Sequence, residues 1–225
     1  MEGPIAQTLS ARIRDHILNG TFAAGQHLRE VQLATFFGTS RTPVRHALAA
    51  NEKDGLLAYT ANRGFVVRAF DVMDIEQAYE MRALMEGYAA RRAAERGLRA
   101  DLLQMAAAAI ESVAALLVQD APLDDAAREV WRSRNTEFHQ AIVAQAENRF
   151  LAPTLAIVRQ IPSVFPPVLA SYEASTLRVY NDQHRAVLAS ILGREGTRAE
   201  FLMREHVTLA GEAIRATVTT TTDTG

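Results

Sequence analysis

Cysteine is absent from the 225 residues, which excludes a disulfide scaffold, a thiolate zinc finger, an iron–sulfur cluster and a cysteine nucleophile. Any metal must then be held by His, carboxylate or amide, and the missing thiols agree with a reducing compartment. Long apolar runs are missing too. None approaches the roughly 18 residues that cross a bilayer, and the opening MEGPIAQTLSARIRDHI has no signal-peptide core. We therefore expect a cytoplasmic protein with no membrane partner. No HExxH helix, nucleophile elbow, P-loop or Rossmann fingerprint is present. What the chain does contain is 48% hydrophobic and 22% charged residues, enough apolar material for one or two packed domains and too much for disorder.

The net charge of -2 conceals an uneven distribution. Up to residue 70, eight Lys and Arg face five Asp and Glu; beyond it sixteen face twenty-one. A small basic module joined to a larger acidic one suits a first part that meets a polyanion and a second part with another task, although solvated faces also produce such asymmetry. Periodicity divides the chain at the same place. Leu9, Ile13, Ile17 and Leu18 predict an amphipathic helix over 6–19 that stops at Gly20. Val31, Leu33, Ala34 and Phe37 predict a second helix over 29–37, and Gly38-Thr39-Ser40 predicts a tight turn into a third over 41–54, with Ser40 as its cap and Pro43 in its first turn. Two short helices joined by such a turn form a helix-turn-helix. The β-prone runs Leu56-Leu57-Ala58-Tyr59 and Gly64-Phe65-Val66-Val67-Arg68 then predict a hairpin, which makes the module a winged variant.

After residue 70 the sequence reads as Ala- and Leu-rich helices over about 74–97, 99–118, 125–146, 148–161, 169–193 and 195–217, with no strand. Short connections between six helices predict an antiparallel bundle. The expected fold is mostly α: a winged helix-turn-helix over 1–70, an all-α bundle over 71–217 and a frayed tail over 218–225.

Ser40, Arg41, Thr42 and Arg45 lie near the N-terminal end of the third helix, the end of a recognition helix that enters the major groove. Arg41 and Arg45, four residues apart, share a face and can bond guanine edges; Thr42 and the first amides suit phosphate. Arg63 at the hairpin tip can reach the minor groove or the backbone. An ordinary solvated face is the competing reading of the arginines.

The stretches Ile17-Leu18-Asn19-Gly20, Gly25-Gln26-His27-Leu28-Arg29-Glu30, Leu33-Ala34, Phe37-Gly38-Thr39-Ser40-Arg41-Thr42-Pro43-Val44-Arg45, Ala47-Leu48, Gly55-Leu56-Leu57 and Asn62-Arg63-Gly64-Phe65-Val66-Val67 resemble the GntR family of bacterial transcription regulators. The resemblance spans residues 9–68 and implies that Arg29, Arg41, Thr42 and Arg45 contact DNA, with Gly64 at a wing tip entering the minor groove. Two positions depart from the family pattern. His46 stands where Glu is usual, and Asn51 falls on the buried stripe of Val44, Ala47 and Leu48 where Leu is usual. An unpaired buried amide costs about 1–3 kcal/mol, so Asn51 must find a backbone partner or the helix is less firmly seated.

In the helical part His139 shares a stripe with Trp131, Asn135, Phe138 and Ile142, His184 with Leu177, Tyr180, Val187 and Ile191, and His206 with Leu202, Met203 and Leu209. All three imidazoles point inward from different helices, a way to hold Zn²⁺ or Ni²⁺ with positions left open. Asn135, one turn before His139, can add an amide oxygen. The alternative is three core histidines hydrogen-bonded to neighbours. Together with Asp74-Ile75, Tyr79-Glu80-Met81-Arg82, Glu86, Ala89-Ala90, Phe138-His139 and Asn148, these positions resemble the FCD effector domain of the FadR branch, in its shorter six-helix form. The resemblance implies a metal, with Asn135 standing where an Asp ligand is usual; an amide is the poorer ligand.

Uncharged ligands leave an ion's charge open to a carboxylate metabolite. Arg82 on the inward stripe of its helix either clamps that carboxylate or pairs with Glu86 at i,i+4. Trp131, Tyr172 and Tyr180 either line the pocket or belong to the core. The expected function is a homodimeric regulator, a repressor by the family's commoner mode, that binds operator DNA and responds to a small carboxylate effector. The alternative is a metal-dependent, hydrolase-like helical protein with an accessory DNA-binding domain, although Glu137 points away from the ligand face. A constitutive DNA-packing protein would need a strongly basic chain, which this is not.

Overall fold

Leu9, Ile13 and Ile17 recur every fourth residue, and in the computed structural model they form the buried face of helix α1 (Pro4–Leu18). The structure describes residues 4–61, 64–69, 71–118, 123–163 and 173–222. The chain parts into two units, residues 1–75 with 159–166 and residues 76–158 with 167–225.

In the first unit α1 is followed by β1 (His27–Leu28), α2 (Glu30–Phe37), α3 (Arg41–Lys53), β2 (Leu57–Thr60) and β3 (Gly64–Val67). The turn between α2 and α3 depends on Gly38, whose left-handed backbone (φ 64°) closes α2 while the Thr39 amide donates to the Ala34 carbonyl at 2.9 Å. Ser40 occupies the N-cap position of α3 in extended conformation, but its side chain makes no capping hydrogen bond, so the first turn of α3 leaves amides undirected. The wing holds β2 antiparallel to β3 with Leu57 opposite Val67 and Thr60 opposite Gly64. A third strand that the sequence pattern did not predict, β1, pairs with the other edge of β3 in the order β1-β3-β2. Two residues are too few to show alternation, and only the pairing of His27 with Val66 and Leu28 with Phe65 makes them a strand.

The core of this unit gathers Leu9, Ile13, Leu33, Val44, Leu48, Leu57 and Phe65 with other apolar side chains from all its elements. Asn51 sits fully buried among them: its Nδ2 donates to the carbonyl of Ala47 at 2.8 Å and to the carbonyl and hydroxyl of Ser10, each at 3.1 Å, while its Oδ1 is buried without a hydrogen-bond partner. The amide nitrogen ties α3 to α1, which offsets part of the cost of burying the side chain; the unpaired Oδ1 keeps the rest.

The second part of the chain contributes α4 (Val72–Arg96), α5 (Ala100–Leu116), α6 (Asp125–Gln145), α7 (Leu151–Ser163), α8 (Ala174–Leu192) and α9 (Gly196–Thr222). Six helices and no strand are found there among the described residues. The described residues are mostly helical, with one small sheet among them, in the wing. Asp71 and Asp74 exchange side-chain-to-amide hydrogen bonds of 2.9 Å around the first turn of α4, and Asp124 caps α6 by accepting from Ala127 at 2.8 Å. Helix α5 packs against α6 and α8, and α8 against α9. Arg178 closes the C-terminal end of α5 by donating to the Leu117 carbonyl at 2.8 Å. Gly211 of α9 lies against Tyr79 of α4; a Cβ there would stand 2.6 Å from the Tyr79 ring. Helix α9 continues to Thr222, past Thr217 where the tail was expected to begin. No helix among the described residues is long and apolar enough to cross a membrane.

Candidate functional site

Two groups of side chains carry chemistry, one in each unit. In the first, Arg41 and Arg45 project from one face of α3 with side chains 62% and 61% exposed. Arg29, Ser40 and Thr42 are exposed around the same end of α3, Arg29 at the N-cap of α2. Gly64 opens β3 with φ 81°, a left-handed turn conformation at the wing. Arg63 falls outside the described residues, as does Tyr172. Sequence reasoning missed Glu30. This first residue of α2 turns its carboxylate across to α3, where Arg45 donates Nε and Nη2 to its two oxygens at 2.7 and 2.9 Å and Arg41 donates Nη2 at 3.3 Å. The Arg45 hydrogen bonds, with Arg41 beside them, hold the Glu30 carboxyl below the usual carboxylate range.

In the second unit α6, α8 and α9 deliver His139, His184 and His206 to one buried point, with candidate ligand nitrogens all within 4.8 Å of one another. The Nε2 atoms of His184 and His206 stand 3.0 Å apart. Phe138 stacks on the His184 ring at 4.0 Å and Tyr180 meets His206 edge-on, so the rings have little freedom to turn. An outer contact selects one tautomer: His206 donates Nδ1–H to Gln183 Oε1 at 2.8 Å, which turns an unprotonated Nε2 toward the shared point, and His139 Nδ1 stands 2.5 Å from Glu86 Oε2. Burial, then the neighbouring imidazoles, push His184 well below its ordinary value and His206 down to about 3. His184 and His206 therefore stay neutral, as metal ligation requires.

The donor set fits a divalent ion. Zinc–nitrogen bonds of about 2.0–2.1 Å bring two ligand nitrogens to about 3 Å of each other, the spacing of the two Nε2 atoms.

Beside the cluster lies a cavity of about 70 Å³ whose walls include Arg82, Trp131, Asn135, His139, Tyr180 and His206. The structure thus brings together the side chains proposed for metal and effector. Arg82 forms the i,i+4 pair: it meets Glu86 Oε1 at 3.1 Å, stacks over the Tyr79 ring at 4.5 Å and also borders the cavity. Trp131 and Tyr180 likewise line the cavity while belonging to an apolar cluster with Val113 and Leu177. Glu86 and Gln183 were not anticipated as partners of the histidines. Glu86 is visible in the sequence only as a carboxylate on the inward stripe of α4.

Comparison with known proteins bears on both units. Residues 5–67 match the model of "Bacterial regulatory proteins, gntR family" and residues 77–209 that of the "FCD domain". A "Probable D-xylose utilization operon transcriptional repressor" of Paenarthrobacter nicotinovorans is 31% identical over 206 residues, 89% of this chain and 86% of the relative. An "Uncharacterized HTH-type transcriptional regulator" of Agrobacterium vitis is 34% identical over 137 residues, 60% of this chain and 76% of the relative. Among solved structures, Escherichia coli McbR/YncC superposes with a TM-score of 0.71 at 17% identity, covering 96% of this chain and 99% of that one, a likeness of fold.

Proposed function

Since the chain belongs to the gntR family of bacterial regulatory proteins and carries the FCD domain, it is a DNA-binding transcriptional regulator, and we propose that it is a repressor whose helical unit binds a divalent metal and a small carboxylate effector. The observation that carries this reading is the buried meeting of His139, His184 and His206 beside a cavity bordered by Arg82. His139, His184 and His206 hold the ion, with the Asn135 amide oxygen as a further donor. A divalent ion in that position supplies a charged, Lewis-acidic docking point for carboxylate oxygens. All four donors are uncharged, so the site keeps a positive charge that favours an anionic ligand. Arg82 faces the same cavity and turns its guanidinium to the carboxylate. A cavity of about 70 Å³ holds little more than two waters' share of liquid volume, so the favoured effector is a small acid or the walls yield to a larger one.

On the other unit Arg41 and Arg45 read base edges, with Arg29, Ser40, Thr42, Arg63 and Gly64 on the backbone and minor groove. A homodimer formed through the helical unit places two such surfaces on the half-sites of an operator in the cytoplasm. The effector then acts through a difference in its affinity for the DNA-bound and free states. Repression follows the names of relatives, among them an "HTH-type transcriptional repressor" of Escherichia coli that is 24% identical. Against the hydrolase alternative, Glu137 is engaged by Arg134 at 2.6 Å and by Ser133.

The test is a thermal-shift series of small mono- and dicarboxylic acids against chelator-treated protein and the same protein reloaded with Zn²⁺ or Ni²⁺. A ligand that binds the folded state raises the midpoint, by an amount equivalent to about 2.7 kcal/mol at a hundredfold excess over its Kd. The expected result is a shift with one acid class that requires the metal. Midpoints indifferent to metal and to every acid overturn the reading.

A further inference from the structure

We propose that Glu30 is a specificity-determining positioning residue of the DNA-reading surface: its carboxylate fixes the Arg41 and Arg45 guanidinium groups for base edges and withholds them from phosphate. The proposal rests on the reading of those two arginines as DNA contacts. Three observations support it. Glu30 is the first residue of α2, where a carboxylate ordinarily serves the amides of its own helix, yet here it crosses to α3. Both of its oxygens are engaged by Arg45 side-on, and Arg41 adds a third hydrogen bond. The carboxylate itself is 19% exposed while the arginines it holds are more than 60% exposed. The acceptor is thus set back into the protein and the donors project beyond it.

That arrangement has two consequences. Arg45 uses its Nε and one Nη2 hydrogen on Glu30, leaving three N–H groups of its five directed outward, enough for a bidentate pair with guanine O6 and N7. The plane of that guanidinium is set before DNA arrives, so ordering it costs less on binding. Second, one carboxylate between two guanidinium groups leaves a single net positive charge at the reading edge. A phosphate gains less from such an edge than from two free arginines, and sequence-independent attachment is weakened relative to base readout.

The experiment uses the full-length protein and two duplexes: one enriched from a random pool by the wild type, and a shuffled duplex of the same composition. Affinities for both are measured across a potassium chloride series. Glu30→Gln is expected to bind the shuffled duplex several-fold more tightly with a salt slope steeper by about one, to bind the selected duplex more weakly, and to lose about tenfold in the ratio of the two. Glu30→Asp keeps the charge but shortens the reach, so it should leave the salt slope alone and still lower the ratio. In an Arg41→Ala/Arg45→Ala background Glu30→Gln should leave the ratio of the two affinities unchanged, the non-additivity expected of a residue that sets specificity through the arginines.

A wild-type ratio and slope in both Glu30 variants overturn the proposal while leaving Arg45→Ala free to show its own loss. An Arg41→Ala/Arg45→Ala protein that keeps the wild-type ratio overturns the underlying reading of the arginines instead. If Glu30→Gln lowers the thermal midpoint, Glu30→Asp carries the decision.

Discussion

Glu86 is shared between a cation and an imidazole of the proposed metal site, and its loss should be felt at both. One oxygen takes the Arg82 Nε–H at 3.1 Å and the other meets His139 Nδ1 at 2.5 Å, with the carboxylate 1% exposed. Glu86→Gln keeps the shape but removes the charge. His139 then loses the partner that raises its basicity toward a metal, for which second-shell substitutions cost roughly 10–100-fold in affinity. Arg82 is left less well compensated in a half-dry site, so stability should fall by an amount on the order of 3 kcal/mol. Competition with a chromophoric chelator at a temperature well below the midpoint measures the first effect apart from the second; an unchanged metal affinity rejects the role of Glu86 behind His139. Sequence reasoning reached the three histidines because helical spacing states which face a residue occupies. It could not reach Glu86–His139 or Glu30–Arg45, because separations of 53 and 15 residues have no periodic meaning until the helices are packed. Asn51 is intermediate: its burial was legible from the stripe of α3, its partner Ser10 was not.

At the scale of elements, the approach of α9 to α4 depends on a residue without a side chain. A Cβ on Gly211 would lie 2.6–2.9 Å from Cγ, Cβ and Cδ1 of Tyr79. Gly211→Ala in an uncrowded helix should stabilise by about 1 kcal/mol through helix propensity. Here the Tyr79 ring must move, and the Arg82 guanidinium stacked on it must follow, an overpacking cost of about 1–3 kcal/mol. The net sign decides the issue: urea denaturation should show Gly211→Ala less stable than wild type, and a gain in stability would mean the helices can part at no cost. Long helices were legible because fifteen or more residues of Ala- and Leu-rich periodicity leave few alternatives, and α5 and α6 begin within a residue of expectation. Strand β1 and the missing Ser40 side-chain cap were not legible. The first is defined wholly by pairing with β3, and the second by a rotamer rather than by a residue type.

At the scale of the whole molecule, the buried histidines make stability depend on pH in a direction that can be worked out. Imidazoles titrate near 6.5 in an unfolded chain, whereas in the folded protein His184 lies well below that value and His206 at about 3 because both are buried among other imidazoles. Above pH 6.5 neither state binds these protons and the two contribute nothing to pH dependence. As pH falls below 6.5 the unfolded chain takes up protons that the folded one refuses, so stability declines by about 1.4 kcal/mol per pH unit for each proton. The loss from His206 continues until the folded ring itself titrates near 3. The exposed carboxylates held low by arginine, Glu95 and Asp101, act in the same direction, but only below the ordinary carboxylate range. Between pH 6.5 and 5 the histidines therefore dominate. Trp131, the one tryptophan in the chain, is buried in the helical unit and makes its unfolding visible by fluorescence. For chelator-treated protein the urea midpoint read through Trp131 should be flat from pH 8 to 7 and fall steadily from 6.5 to 5. Divalent metal should raise the whole curve, because it binds the neutral folded cluster and the unfolded chain offers no such arrangement. A midpoint that holds or rises between pH 6.5 and 5 would mean that protons reach the cluster in the folded state. His184 and His206 would then not be the closed, neutral donors on which the proposed metal binding depends.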